Sequence, residues 1–273
     1  KERVTRVRNM AWLLAGLFVG QCVHLSHIAR KIPGSSQKLS KVKMLSRLLE
    51  NRHIRVRSWY KPVARDLLTA AVENGQTLRL LVDGSKVGPW HNLLLVSLAY
   101  RRRTIPLAWS WVATPQHRGR STAAFQVALL QYVRSLLPEG AGVLLVGDQE
   151  FGAIEVLRQL EAWGWQYVLR QKSSQLFRAD ANTPWQALGS VLEKPGPSVW
   201  LEAVEYTQWK PHRTHLLAHW QTGEKEPWLL ATNLPHLNAA LHAYRRRPWI
   251  EETFGDLKAN GFDLESTRLH TDE

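Results

Sequence analysis

The sequence predicts an α/β fold of the α+β kind, a mixed sheet flanked by helices with a β-rich insertion and a helical N-terminal region. Three observations predict it. Residues 1–73 carry apolar positions at helical spacing. From residue 77, short apolar runs of strand length alternate with helical patterns, and two of them end in an aspartate, Asp83 and Asp148. Residues 175–232 then break the alternation with further strand-like runs before a helical pattern returns at Asn238.

The N-terminal region divides at its turn signals. Met10 to Val23 is the most apolar stretch; its 14 residues, with Gln21 inside, fall short of the roughly 20 needed to span a bilayer. No small-residue cleavage site follows it, so a buried core helix is expected rather than a signal peptide. Ser26 is placed to cap a short helix over Ile28–Ile32, ended by Pro33-Gly34. A basic helix, Lys38–Leu49, follows with apolar residues at 39, 42, 45, 48 and 49. Two short helices around a Pro-Gly turn, the second basic, suit a helix-turn-helix DNA reader; a plain bundle with a solvated cationic face is the alternative. Twelve cations between Arg3 and Arg57 favour the DNA reading.

The sheet region begins at Leu78, where Leu78–Asp83 reads as a buried strand. His91–Tyr100 and Ile105–Val112 are two more strands, joined by the hairpin-sized links 84–89 and 101–104. Ser121–Leu137 has helical period behind a Ser/Thr cap. Gly142–Asp148 is a strand ending in an acid, Ala153–Trp163 a helix and Gln166–Arg170 a strand. Three strands, a helix, a strand, a helix and a strand is the order of a ribonuclease H-like fold, with acids at the expected places on its first and fourth strands. Within 175–232, strands are expected over Val199–Thr207, His215–Gln221 and Pro227–Thr232; helix then runs from Asn238 to Lys258. The resulting plan is a helical region with a candidate DNA reader (1–73), a first part of the ribonuclease H-like core (74–174), a β-rich insertion (175–232) and a last part of that core (233–273).

Composition narrows the function classes. The 273 residues include 36 Lys+Arg against 23 Asp+Glu, a net charge of +13. Such an excess favours a polyanionic partner, and nucleic acid leads because each neutralised phosphate releases counterions. With 44% hydrophobic and 22% charged residues, the chain is not a disordered tail, a collagen or a coiled coil. A single cysteine, Cys22, excludes a disulfide framework and any multi-cysteine zinc site, and suggests a reducing compartment. The chain starts at Lys1 without an initiator Met and stops soon after a helical pattern, so a trimmed fragment lacking a final C-terminal segment is expected.

The most specific motif lies in residues 244–258, YRRRPWIEETFGDLK. On a continuous helix Tyr244, Arg247, Glu251 and Lys258 would stand at about 0°, −60°, −20° and −40°, one narrow stripe. Such a stripe is poor core material. Pro248 resists a helix interior and suits the first position of a new helix, with Glu251 in its first turn.

The pattern Y-x2-R-x3-E-x6-K resembles the signature of insertion-sequence DDE transposases, in the large family that includes insertion sequence 4. Asp83 in VDGS, Asp148 in GDQEFG, the segment closing with WLLATNL and the basic N-terminal HLSHIARKIPG match in order over nearly the whole chain. The resemblance implies a ribonuclease H-like core interrupted by a β insertion, with Asp83, Asp148 and Glu251 as the catalytic, metal-holding triad. It makes Tyr244, Arg247 and Lys258 contacts to transposon-end phosphates. It implies double-stranded DNA partners (terminal repeats and target), a homodimer bridging two ends, and a bacterial cytoplasm with the protein on the nucleoid.

The chemistry agrees with that triad. In-line phosphodiester displacement needs an attacking oxygen activated and a leaving oxygen stabilised, which two divalent cations do together. Mg²⁺ is hard, takes oxygen ligands and keeps several waters, so a few carboxylates suffice, and Mn²⁺ can substitute. Three carboxylates repel one another, so the metal-free site should be unstable or partly protonated. The expected reactions are cleavage at the element ends and transfer of the freed 3′-hydroxyl into target DNA. A nuclease without strand transfer and a non-catalytic DNA-binding derivative are the alternatives.

Weaker candidates complete the reading. Salt bridges of Arg247 or Lys258 with Glu251 or Glu252 compete with phosphate contact. Glu150, Glu252 and Asp256 are expected to be solvated or supporting acids, with Glu150 on the strand face of Asp148 if that strand continues. His212, His215 and His219 sit on a strand that sends 212 and 215 to opposite faces, which argues against a shared metal. Trp109 and Trp111 are core positions. Trp200, Trp209, Trp220 and Trp228 lie in the insertion, which in the family supplies a residue that stacks on a flipped base. Lys86, Arg170 and the loop His117–Arg120 are further candidates for phosphate.

Overall fold

The computed structural model describes residues 3–72, 75–88, 91–113, 121–258 and 260–266. The candidate phosphate loop His117–Arg120 lies outside them. The fold is a mixed α/β one, in which ten strands among the described residues form a single sheet in the order β3-β2-β1-β4-β5-β10-β9-β8-β6-β7.

The first half of the sheet is built from β1 (Leu78–Val87), β2 (His91–Tyr100), β3 (Arg103–Ala113), β4 (Val143–Gly147) and β5 (Gln166–Arg170). β1, β2 and β3 form an antiparallel meander, and β4 and β5 run parallel to β1. β1 reaches Val87 instead of ending at Asp83, because its antiparallel ladder with β2 continues through Lys86 and Asn92. The hairpin link is correspondingly shorter than the six residues expected.

The segment 175–232 does not hang off this sheet as a separate layer. Its strands are β6 (Leu176–Arg178), β7 (Gln186–Ala187), β8 (Gly196–Tyr206), β9 (His212–Trp220) and β10 (Trp228–Thr232). β10 pairs antiparallel with β5, and β9, β8, β6 and β7 follow outward. Trp209, at the tip between β8 and β9, is 94% exposed.

Seen from the N-terminus, the helices are α1 (Val4–Gly20), α2 (Leu25–Lys31), α3 (Lys38–Leu49), α4 (Val56–Val72), α5 (Ala123–Arg134), α6 (Ile154–Ala162), α7 (Leu237–Tyr244) and α8 (Pro248–Leu257). They cover both faces of the sheet. On one face β1, β2 and β4 meet α4, α5 and α6 in the largest core, around Leu68, Leu80, Leu130, Leu157 and Tyr167. On the other, Leu144 and Val146 of β4 pack on Ala240, Leu241 and Tyr244 of α7, while Leu81, Leu93 and Leu95 pack on Ile250 and Phe254 of α8.

Two N-terminal expectations are corrected. α1 is not a buried core helix: Gly16 is its one buried residue, and Leu14, Phe18 and Val19 are exposed. It packs on α2 and α3, where Ile28, Ala29, Ile32 and Leu45 form a small cluster against Trp12, Leu13 and Leu17. Gly16 is buried because a Cβ there would meet Ile28 Cγ2 at 2.8 Å. Ser26 is not a cap. α2 begins at Leu25, with His24 in the capping position and Ser26 already in the first turn. α3 occupies the expected span, and Ile32 turns extended ahead of Pro33 as the residue before a proline prefers. No single helix among the described residues is long and apolar enough to cross a membrane.

Candidate active site

Strand alternation aims two acids at one face. In β1, Leu81 faces the side of the sheet covered by α7 and α8, and Asp83, two residues on, follows it. In β4, Leu144 and Val146 face the same side, so the next residue of that parity is Asp148, just past the strand end at Gly147. Val82 pairs with Gly147 in the parallel register, which sets Asp83, within β1, beside Asp148, just past the carboxyl end of β4. Gly147 permits this approach: a Cβ there would meet Val82 Cγ1 at 2.8 Å and Leu169 Cδ2 at 3.0 Å.

The third acid arrives on α8. Pro248 opens that helix at its first position and puts Glu251 in the first turn, one of the two arrangements the sequence allowed. Ile250 and Phe254 seat α8 on β1 and β2. Thr253 Oγ1 adds a pin by accepting from the Thr104 N–H of β3 at 2.9 Å. Tyr244 therefore lies on α7 and Lys258 at the end of α8, so the four motif residues do not form a stripe on one continuous helix.

The three carboxylates converge on a single guanidinium, that of Arg247. Its Nη2 donates to Asp83 Oδ2 at 3.0 Å and lies 3.5 Å from Asp148 Oδ2, and its Nη1 donates to Glu251 Oε1. Arg247 precedes Pro248 at the corner between α7 and α8, and only 18% of its side chain is exposed. Burial works against its charge, but Asp83, Asp148 and Glu251 together raise its pKa. Burial also pushes the Asp83 carboxyl up to about 6, and Asp148 and Glu251 add to the rise. Arg247 and the Gly84 N–H, which donates to Asp83 Oδ1 at 2.8 Å, pull it back down. Burial, more than repulsion among the carboxylates, sets the direction of that shift, and Arg247 makes the salt bridge with Glu251 that competes with a phosphate contact in the sequence reading.

The arrangement fits divalent cations. Its donors are hard carboxylate oxygens on three separate elements, and a positive group already stands at their focus. Asp148 Oδ1 is buried without a hydrogen-bond partner among the described residues, an oxygen oriented for a ligand the protein itself does not supply.

The other motif residues are occupied in different ways. Tyr244 is buried, with its ring edge-on to Trp228 at 5.0 Å. Lys258 pairs with Glu265 at 3.1 Å, not with Glu251 or Glu252. Glu252 and Asp256, both with exposed side chains, pair with Arg103 at 3.7 and 2.8 Å. Glu150 leaves the strand face because β4 ends at Gly147 and a 3₁₀ turn over Gln149–Phe151 follows. It accepts hydrogen bonds from the Ser121 N–H and Oγ at 2.8 and 2.6 Å, which ties the turn after Asp148 to the start of α5. Nothing in the local sequence of Glu150 signals that tie, since Ser121 is 29 positions away. His212, His215 and His219 have separate partners, Glu161, the Ala203 N–H and Ser198. Arg170 pairs with Glu226 at 2.7 Å, while Lys86 is exposed.

A family model described as a transposase DDE domain matches residues 86–273. The chain belongs to the transposase DDE domain family. The matched span contains Asp148 and Glu251 and begins three residues after Asp83. DDE transposase domains generally depend on divalent metal ions, in keeping with the carboxylate cluster. Among solved structures, the chain is similar to a piggyBac transposase in a cryo-EM synaptic complex with hairpin DNA. That likeness has a TM-score of 0.51 at 8% identity, over 94% of this chain and 59% of that one. It is a likeness of fold. No curated protein matches the chain.

Proposed function

We propose that this DDE domain is the catalytic region of an insertion-sequence transposase of the insertion sequence 4 family. In this reading it cuts phosphodiester bonds at the ends of its element and joins the freed 3′-hydroxyl to target DNA. The observation that carries the reading is the convergence of Asp83, Asp148 and Glu251 from two parallel strands and a helix onto one cationic point. The strand order β3-β2-β1-β4-β5, with β1, β4 and β5 parallel, supports a ribonuclease H-like core extended by 175–232 and preceded by a DNA-binding region in 1–73.

Asp83, Asp148 and Glu251 would hold two Mg²⁺ ions, or Mn²⁺ in their place. When bound, those ions activate the attacking oxygen and stabilise the leaving one along the line of displacement. The chain's own share is positional. The Gly84 N–H fixes one oxygen of Asp83 and leaves Oδ2 toward the focus. Glu150, held by Ser121, fixes the turn that follows Asp148. Arg247 keeps the carboxylates together without metal, and once released from them its planar fork is suited to a phosphate of the DNA end. Lys258 offers a point charge at the other, C-terminal end of α8. Tyr244, buried against Trp228, meets a phosphate only if the corner between α7 and α8 opens.

Double-stranded DNA is the proposed partner, with two copies of the protein on two ends, in a bacterial cytoplasm. The net charge of +13 supports the choice of polyanion. The test is incubation with labelled end DNA, a target plasmid and Mg²⁺. Joined products are expected. Nicks without joining would reduce the activity to a nuclease, and binding without either would make the protein a non-catalytic derivative.

A further inference from the structure

Outside the acidic triad, the fold assembles another group of side chains of metal-ligating type. Cys22 and His24 lie in the turn between α1 and α2, and Asp263 lies beyond α8, 241 positions from Cys22. One ligand atom from each falls within 4.8 Å of the other two. Cys22 is buried, and its Sγ lies 3.9 Å from Asp263 Oδ2. The backbones are joined beside them, where the Val23 N–H donates to the Phe262 carbonyl at 3.0 Å.

We propose that Cys22, His24 and Asp263 bind one zinc-class ion, which clips the N-terminal helices to the segment following α8. A tetrahedral zinc with bonds of about 2.0–2.3 Å holds its ligand atoms roughly 3.3–3.8 Å apart. The three atoms lie within 4.8 Å of one another and need to close by up to about 1.5 Å. Thiolate and imidazole are the donors that separate Zn²⁺ from the hard ions suited to the triad. A thiolate and a carboxylate also cancel the ion's two charges, so the filled site is neutral. Cys22 gives up its S–H proton to water as the Zn–S bond forms. His27, one helical turn along α2 with its ring centroid 6.0 Å from that of His24, is a further donor for the fourth position. Joining elements so distant in sequence removes a long loop from the unfolded chain's freedom, which favours the clipped state. The site does not rest on the reading of the triad.

Because the chain has one cysteine, any thiolate signal from bound metal must come from Cys22. The test uses the whole chain carrying Asp83→Asn and Asp148→Asn, and in parallel the unaltered chain in excess Mg²⁺. Each is stripped of metal and then given Zn²⁺ or Co²⁺. Retention of one ion per chain, a thiolate-to-cobalt charge-transfer band and a thermal midpoint raised by zinc are expected. Cys22→Ser should abolish the band and weaken zinc binding by more than about 100-fold, and His24→Ala or Asp263→Asn by at least about 10-fold, with circular dichroism unchanged. Failure of both chains to retain zinc, absence of the cobalt band, or equal zinc affinity in Cys22→Ser would overturn the proposal.

Discussion

At the scale of the residue, Arg247 and Asp83 show what a sequence reading leaves out. The spacing of Tyr244, Arg247, Glu251 and Lys258 and the acids of two apolar runs pointed to side chains of which the fold brings Asp83, Asp148, Arg247 and Glu251 together. The direction of the Arg247 side chain was not legible, because it depends on a helix corner at Pro248 that folds it inward over β1 and β4. Asp83 carries a cost that can be read in stability. Its pKa is raised from 3.8 to about 6, so the folded state binds a proton more tightly than the unfolded state. Stability therefore falls as pH rises from about 4 to about 6, and the penalty, roughly 3 kcal/mol, stands in full above that. Asp83→Asn removes it. Without metal, the variant should be more stable than the parent at pH 7.5 and lose that advantage by pH 4, as followed by chemical denaturation. A constant difference across that range would contradict the assignment of cost to the buried charge.

At the scale of the element, apolar periodicity located every strand of the first half of the sheet and both helices that lie between them, α5 and α6. Boundaries failed where tertiary contacts decide them. β1 outran its apolar run because β2 pairs with Gly84–Val87. α1 was expected in the core on composition alone, yet it packs on α2 and α3 with Gly16 as its one buried residue. Ser26 has the side chain of a cap, but the chain entered α2 one residue earlier. The approach of β1, β4 and β5 depends on Gly147, whose lack of a side chain lets Val82 and Leu169 close over it. Gly147→Ala should cost roughly 1–3 kcal/mol and push β4, and with it Asp148, away from Asp83. A denaturation midpoint unchanged from the parent would show that the strands have room to spare.

At the scale of the whole molecule, the excess of positive charge acquires an internal complement. A basic protein keeps three acids in one place by setting one of its own arginines among them. The candidate triad was legible in part because two strand ends and one motif point to it. The Cys22–Asp263 cluster was not, because no local pattern links residues so far apart. If Lys258 meets DNA, Lys258→Ala should lower the slope of log affinity against log salt by about one in a binding titration with end DNA. An unchanged slope would leave Lys258 as the partner of Glu265 only.

The central claim is that Asp83, Asp148 and Glu251 form one metal-dependent cutting centre. Its most direct measurement is Mg²⁺-dependent cleavage of labelled end DNA by the parent and by Asp83→Asn, Asp148→Asn and Glu251→Gln, with DNA binding followed in the same samples. The account predicts that each substitution abolishes cleavage while binding persists. Cleavage retained by any one of the three variants would contradict it.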